Sequence, residues 1–154
     1  MIRLAEVTGE NYRRCCALTV APEQEHFVAP ATTILARAYA YREDGATARI
    51  ICDGDAMVGL LLARRWAEGS CYILDQFFID RRFQRRGYGR GAVALLLEEL
   101  RAEAVFPAVV LCCCEEDEAA LHLYQQAGFS PTGERDGDEI ILSRPLFREA
   151  PHLK

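Results

Sequence analysis

Five arginines crowd into residues 81–90, where the stretch Phe83-Gln84-Arg85-Arg86-Gly87-Tyr88-Gly89-Arg90-Gly91 spaces them with glycines, in a chain whose formal net charge is −5. Glycine spacing at the start of a helix suits anion binding. The first turn of a helix leaves N–H groups unpaired and carries a partial positive charge. A phosphate placed there accepts those N–H bonds directly. Gly87 and Gly89 have no Cβ, so the backbone can approach a bulky anion and adopt φ > 0. Arg85, Arg86 and Arg90 add charge-assisted, bidentate bonds to phosphate oxygens. The competing reading is a helix start with a solvated arginine rim. The stretch differs from the common nucleotide loops: G-x-x-x-x-G-K-[ST] is absent, and Gly87, Gly89 and Gly91 read G-x-G-x-G in place of G-x-G-x-x-G.

Two further residues are of a type that moves protons. Asp75 interrupts the apolar run CYILDQFFI beside Gln76, and aspartate is disfavoured in strands and rarely buried alone. It reads either as a functional carboxylate or as a strand-end charge paired with an arginine. Tyr124 shares a helical face with Ala120, Leu123 and Ala127. A phenol has a pKa near 10, so it is protonated at pH 7 and can serve as a general acid. The same spacing suits a core tyrosine. Glu23, Glu25, Asp138 and Glu139 offer carboxylates to a cationic ligand or to water. His26 and His122 have no nucleophile or ligand set nearby in the sequence.

The elements that must position these residues follow from periodicity. Residues 2–7 alternate as a strand, Thr8 is placed to cap a helix over 9–18, and Pro22 and Pro30 bound an irregular or short helical connection. Residues 31–43 read as helix. Strands over 47–53, 56–66 and 71–80 are linked by Asp53-Gly54-Asp55 and Glu68-Gly69-Ser70, which predicts an antiparallel meander. Val93, Leu96, Leu97, Leu100 and Ala104 mark an amphipathic helix over 87–104. A strand at 108–114, a helix over 116–126 stopped by Gly128, and a hairpin joining 129–135 to 138–144 through Asp136-Gly137 complete the chain. Strand 71–80, helix 87–104 and strand 108–114 form one βαβ unit, whose strands must be parallel. The expectation is a mixed α/β (α+β) sheet of about seven strands, with helices on both faces and one domain over residues 1–154.

Composition narrows the function. Hydrophobic residues make up 51% and charged residues 27%, a soluble globular profile, and no apolar run is long enough to span a bilayer. The first residues lack a secretory pattern, so the cytoplasm is expected. Net acidity argues against a nucleic-acid partner. Seven cysteines, among them Cys15-Cys16 and Cys112-Cys113-Cys114, fit neither a disulfide framework nor a metal site. They read as reduced, mostly structural thiols, and no metal is expected.

Gln84-Arg85-Arg86-Gly87-Tyr88-Gly89 resembles Q-x-x-G-x-G, the acetyl-CoA-binding motif of the GNAT superfamily of N-acetyltransferases. Ala120 to Phe129, ALHLYQQAGF, resembles its later signature A-x-x-L-Y-x-x-x-G-F, and the element order agrees from residue 2 to about 145. Within the superfamily, HFVAP, ILDQFFID and TGERDGDEI look similar to bacterial spermine/spermidine acetyltransferases. The resemblance implies acetyl-CoA as donor and a small-molecule amine, a polyamine such as spermidine, as acceptor. It implies that Gln84 and the turn Arg85–Arg90 hold the pyrophosphate. Backbone groups of Phe78 and Ile79 would pair with the pantetheine arm where strands 71–80 and 108–114 splay, one of the two N–H groups serving the oxyanion. Tyr124 would be the general acid. Asp75 would bind the acceptor ammonium and accept its proton, with Glu23 and Glu25 lining an acidic acceptor groove. The Cys112–Cys114 run would flank the thioester. Asp117 stands among the cofactor positions where the superfamily often has Asn, three residues before Ala120; an anion there accepts hydrogen bonds but repels phosphate at close range. Other amines (a protein N-terminus, a lysine, an antibiotic) and a non-catalytic acyl-CoA sensor are the alternatives. Dimerisation is common in the superfamily, and no sequence feature here fixes an interface.

Overall fold

The computed structural model describes residues 1–148. The elements run β1 (Ile2–Glu6), α1 (Tyr12–Cys16), α2 (Ala31–Ala40), β2 (Thr47–Asp53), β3 (Ala56–Trp66), β4 (Cys71–Ile79), α3 (Tyr88–Glu103), β5 (Ala108–Cys114), α4 (Glu118–Gln126), β6 (Ser130–Asp136) and β7 (Glu139–Pro145). They build the expected mixed α/β architecture, a seven-stranded sheet in the order β1-β2-β3-β4-β5-β7-β6. Strands β1 to β4 form the antiparallel meander, β4 and β5 are parallel, and β7 lies between β5 and β6. No helix of the described residues is long and apolar enough to cross a membrane.

The two faces of the sheet are covered differently. On one, Val93, Leu96, Leu97 and Leu100 of α3 pack with Tyr124 and Phe129 against Leu61, Tyr72, Val109 and Leu111. On the other, Cys15, Leu18 and Ile34 from α1, its following loop and α2 pack against Ile50, Leu60, Leu62 and Phe78. Each fully buried aliphatic side chain contributes about 1.5–3 kcal/mol. All seven cysteines are free. Burial pushes the Cys15 and Cys113 thiols up to about 11 and about 12, so they pack as neutral groups.

Two helices are shorter than their periodicity predicts. Asn11, not Thr8, precedes α1: its side chain accepts the Thr8 N–H at 2.8 Å, and the Thr8 hydroxyl takes the Glu10 N–H. This local turn consumes the first residues of the expected helix. Helix α2 ends before Tyr41, whose carbonyl accepts from both Asp44 and Ala46. The chain closes there in a short 3₁₀ turn onto Gly45 at φ +67°.

Candidate active site

The parallel pair at the centre of the sheet is joined for only two steps, Tyr72↔Val109 and Ile73↔Val110. Beyond them β4 stays with β3, and β5 stays with β7 as far as Cys114↔Glu139. A wedge therefore opens between β4 and β5. Asp75 begins it as the extra residue of a β-bulge: Leu62 pairs with Gln76 and Ala63 with Leu74. A bulge bends its strand and resets which side each backbone group faces.

The register decides which groups reach the wedge. Asp80 donates its N–H to the Val58 carbonyl at 2.7 Å, and Phe78↔Leu60 lies two residues along in the same register. Backbone groups alternate along an antiparallel strand, so the N–H and C=O of Phe78 face β3. Those of Phe77 and Ile79 face the wedge. Phe78 therefore has no backbone group free at the wedge, contrary to its expected share in the pairing role with Ile79; the free groups belong to Phe77 and Ile79. The Phe78 side chain is buried on the α1–α2 side.

Directly after β4, Asp80 accepts the Arg82 N–H at 3.0 Å and caps a 3₁₀ turn over Arg81–Phe83. The chain then passes through Arg85 at φ +63° and Gly87 at φ +83° into α3. The left-handed conformation at Gly87 is one that glycine alone adopts without cost. From Arg85 to Arg90 no backbone N–H donates to any group of the described residues. Successive N–H groups around left-handed residues form an anion-binding nest, and the positive end of α3 lies behind it. Arg85, Arg86 and Arg90 form no ion pair among the described residues, so their charge is available to a ligand.

Three motif residues act differently from expectation. Gln84 donates to the Ile79 carbonyl at 2.9 Å and to Gln24 at 2.8 Å, so its side chain closes the turn. Gly89 faces the interior, where a Cβ would lie 2.7 Å from Leu123 Cδ1; its smallness seats α3 against α4. The Tyr88 hydroxyl donates to Asp53 at 2.7 Å, away from the turn. Gly89 and Tyr88 retain only their N–H groups for an anion.

Tyr124 is buried on α4, edge-on to Phe77 at 6.3 Å and to Phe129 at 5.9 Å. Burial pushes its phenol far up, helped by Cys113 and Asp117. Tyr124 is only 7% exposed. Its neighbour Phe77 lines the wedge. Asp117 instead caps α4, accepting the Ala120 N–H at 3.2 Å.

On the α1–α2 side lies a hollow of ≈ 470 Å³ lined by Thr19, Val20, Glu25, Ala29, Thr32 and Phe78, among others. Glu25 reaches it; Glu23, in the short 3₁₀ turn Pro22–Gln24, is not among its lining residues. Asp75 lies on this side with both carboxylate oxygens taken, Oδ1 by Arg37 at 2.7 Å and Oδ2 by Arg64 at 3.2 Å. Of the two readings of Asp75, the structure shows the arginine-paired one: it is paired twice and 12% exposed, and is not a free carboxylate. Sequence reading passed over the residues that hold this side together. Asp80 accepts the Thr19 N–H, Gln24 accepts the Ala21 N–H, and Gln76 accepts the Ala29 N–H. Only the interruption of apolar runs by Gln76 and Asp80 signalled them.

A sheet that splays beside an anion nest is shaped for a ligand with an extended amide-bearing arm and a phosphate-rich end. Residues 10–129 match the acetyltransferase (GNAT) family, and the chain belongs to it. A spermine/spermidine N(1)-acetyltransferase of Bacillus subtilis is 34% identical over 71 residues, 45% of this chain and 47% of that protein. The chain thus matches under half the length of that relative. Among solved structures, the ribosomal-protein-S18-alanine N-acetyltransferase of Escherichia coli superposes with a TM-score of 0.70 at 19% identity, over 100% of this chain and 99% of that one. AAC(6')-Ib in complex with paromomycin and acetyl-CoA gives a TM-score of 0.76 at 13% identity, over 94% and 93%. These two likenesses show the fold.

Proposed function

We propose that this protein is an acetyl-CoA-dependent N-acetyltransferase that moves an acetyl group to a primary amine by direct attack in a ternary complex. The observation that carries this is the wedge between β4 and β5 opening beside the unpaired N–H groups of Arg85–Arg90. The residues present fit the donor. The nest and the three free arginines suit the pyrophosphate, and the Phe77 N–H and C=O with the Ile79 N–H suit the amide arm. Acetyl-CoA supplies an activated acyl thioester. Wedge-facing N–H groups of β4 would donate to the oxyanion that develops at its carbonyl. The acceptor arrives from the hollow, because the opposite face is filled by Phe77, Leu123 and Tyr124. Its ammonium first loses a proton to water in the hollow. The amine nitrogen then bonds to the acetyl carbon as the C–S bond breaks. Tyr124 would donate to the departing thiolate, and the second amine proton, passed back to Tyr124 through water, would restore the phenol.

A polyamine acceptor is the reading that the name of the Bacillus relative favours, and Glu25 with the hairpin acids Asp136, Asp138 and Glu139 are the carboxylates available to it. With acetyl-CoA and a panel of amines, mass spectrometry should find an acetylated product. Calorimetric binding of acetyl-CoA with no product from any amine would establish the non-catalytic sensor instead.

The turn makes its own prediction. An alanine at Gly87 must hold a left-handed φ at about 1–2 kcal/mol or relax and misdirect the nest. Gly87→Ala is expected to raise the Kd for CoA by about 5- to 30-fold. An unchanged Kd by calorimetry would show that φ at this position does not shape the anion site.

A further inference from the structure

The polar cluster at the head of the wedge is more cationic than a polyamine site should be. Asp75 is joined by Arg37 from α2 and Arg64 from β3, so the three together carry a net positive charge. Neither guanidinium is used up. Arg37 offers Nη1 alone to Asp75, and its side chain is 36% exposed. Arg64 offers only Nε to Asp75, lies over the Tyr41 ring at 4.5 Å and is 18% exposed, and its Nη groups make no hydrogen bond among the described residues. A planar, oriented pair of forks is the arrangement that recognises a carboxylate bidentately. Asp75 is too enclosed for a ligand to bind in its place, its side chain being 12% exposed. It serves to align the two guanidiniums.

The position of the cluster makes it an acceptor determinant. Asp75 lies two residues, about 7 Å along a strand, before Phe77, whose N–H faces the wedge. Arg37 stands on the helix that covers the hollow side, so the cluster and the incoming acceptor share one face of the sheet. The opposite wall has the other sign. Glu139 pairs with Cys114 at the end of β5, and Asp136 pairs with Glu139, so acids of the β6–β7 hairpin stand at the β5 edge of the wedge. An acceptor spanning it meets carboxylates on one side and guanidiniums on the other.

We infer that the acceptor is an amine that also bears a carboxylate, an amino acid or a close analogue, whose carboxylate is bound by Arg37 and Arg64. This rests on the acetyltransferase reading above and names its substrate class. Twenty L-amino acids, their carboxamides and spermidine, each with acetyl-CoA, supply the test, with products read by mass spectrometry. The expected result is acetylation of one or more amino acids, with kcat/KM falling about 10- to 100-fold for the matching carboxamide. Arg37→Ala, on the exposed side of α2, should bring acid and amide together, chiefly by raising KM for the acid; Arg64→Gln should do the same.

The outcomes separate the two readings. Carboxamides or spermidine turned over as well as the acids would overturn the carboxylate assignment and leave the transferase standing. So would an acid-to-amide ratio unmoved in folded Arg37→Ala, which would make the cluster only a latch between α2 and the sheet. Acetyl-CoA binding with no product from any amine would overturn the transferase reading, and this one with it.

Discussion

Tyr124→Phe is expected to lower kcat by about 100-fold while leaving the Kd for acetyl-CoA within twofold of the parent. General acid catalysis contributes roughly 10²- to 10⁴-fold, and the lower end applies here for a physical reason. Burial raises the phenol above its ordinary value, which keeps it protonated across the working pH range but also makes it a reluctant donor. The same enclosure raises the pKa of a thiolate formed beside it, so the relative acidity of the two stays close to that in water. The phenol is then effective as a hydrogen-bond donor that completes its transfer as charge builds on sulfur. Removal of the hydroxyl leaves the ring between Phe77 and Phe129 intact, so thermal stability should barely change. A kcat within twofold of the parent, in a protein of unchanged melting temperature, would reject the acid role. The raised pKa also has a direction: Tyr124 should impose no loss of activity as pH rises toward 10, and any alkaline limb below that belongs to another group.

How much of this site was legible in the sequence depends on how local each interaction is. The anion nest was legible because its causes are neighbours: Gly87 must precede α3, and the arginines flank it. The meander, the parallel pair and the splay came from element order and from the resemblance to GNAT enzymes; the place of β7 between β5 and β6 did not. What misled was non-local. Asp75 stands out in CYILDQFFI, but the guanidiniums that occupy it come from Arg37, in a helix across the sheet face, and from Arg64, on the paired strand. No spacing rule connects those three positions. The bulge at Asp75 had a second effect. One extra residue in a strand moves every later group to the other side, so Phe77 and Ile79 face the wedge where Phe78 and Ile79 were expected. Gly89 was misread because glycine signals both close approach and tight packing, and only the position of Leu123 shows which applies.

Asp80 should prove a costly polar residue to lose for stability. It is the one charged residue buried among the described residues, 1% exposed, and it holds two segments at once. Oδ2 accepts the Thr19 N–H at 3.0 Å, tying down the loop that lines the acceptor hollow. Oδ1 accepts the Arg82 N–H at 3.0 Å and Arg82 Nε at 2.9 Å, fixing the turn that leads into the anion nest. Bonds to a charged acceptor are each worth about 1.5–3 kcal/mol, and buried donors left unpaired add their desolvation cost. Because Arg82 is mostly exposed, its ion pair counts for little of this. Asp80→Ala is therefore expected to destabilise by about 3 kcal/mol, a fall in Tm of roughly 6–12 °C for a chain of this size. Asp80→Asn keeps the shape but turns an amide N–H toward donors, and should fall between. The pH dependence has a definite sign. Burial works to raise the Asp80 pKa, but the bonds from Arg82 and Thr19 outweigh it and hold the carboxyl below its ordinary value. A depressed folded-state pKa gives stability that is complete above the unfolded value near 4 and is lost as pH falls through the lower folded value. The parent should thus lose its advantage over Asp80→Asn on acidification below about pH 4. Denaturant unfolding of both proteins between pH 7 and pH 3 measures this, and parallel stability curves would show that the Asp80 charge does not hold the two segments together. Loosening Thr19 and Arg82 together should also raise KM for the acceptor and for acetyl-CoA in the same variant, because a single carboxylate anchors the edges of both sites.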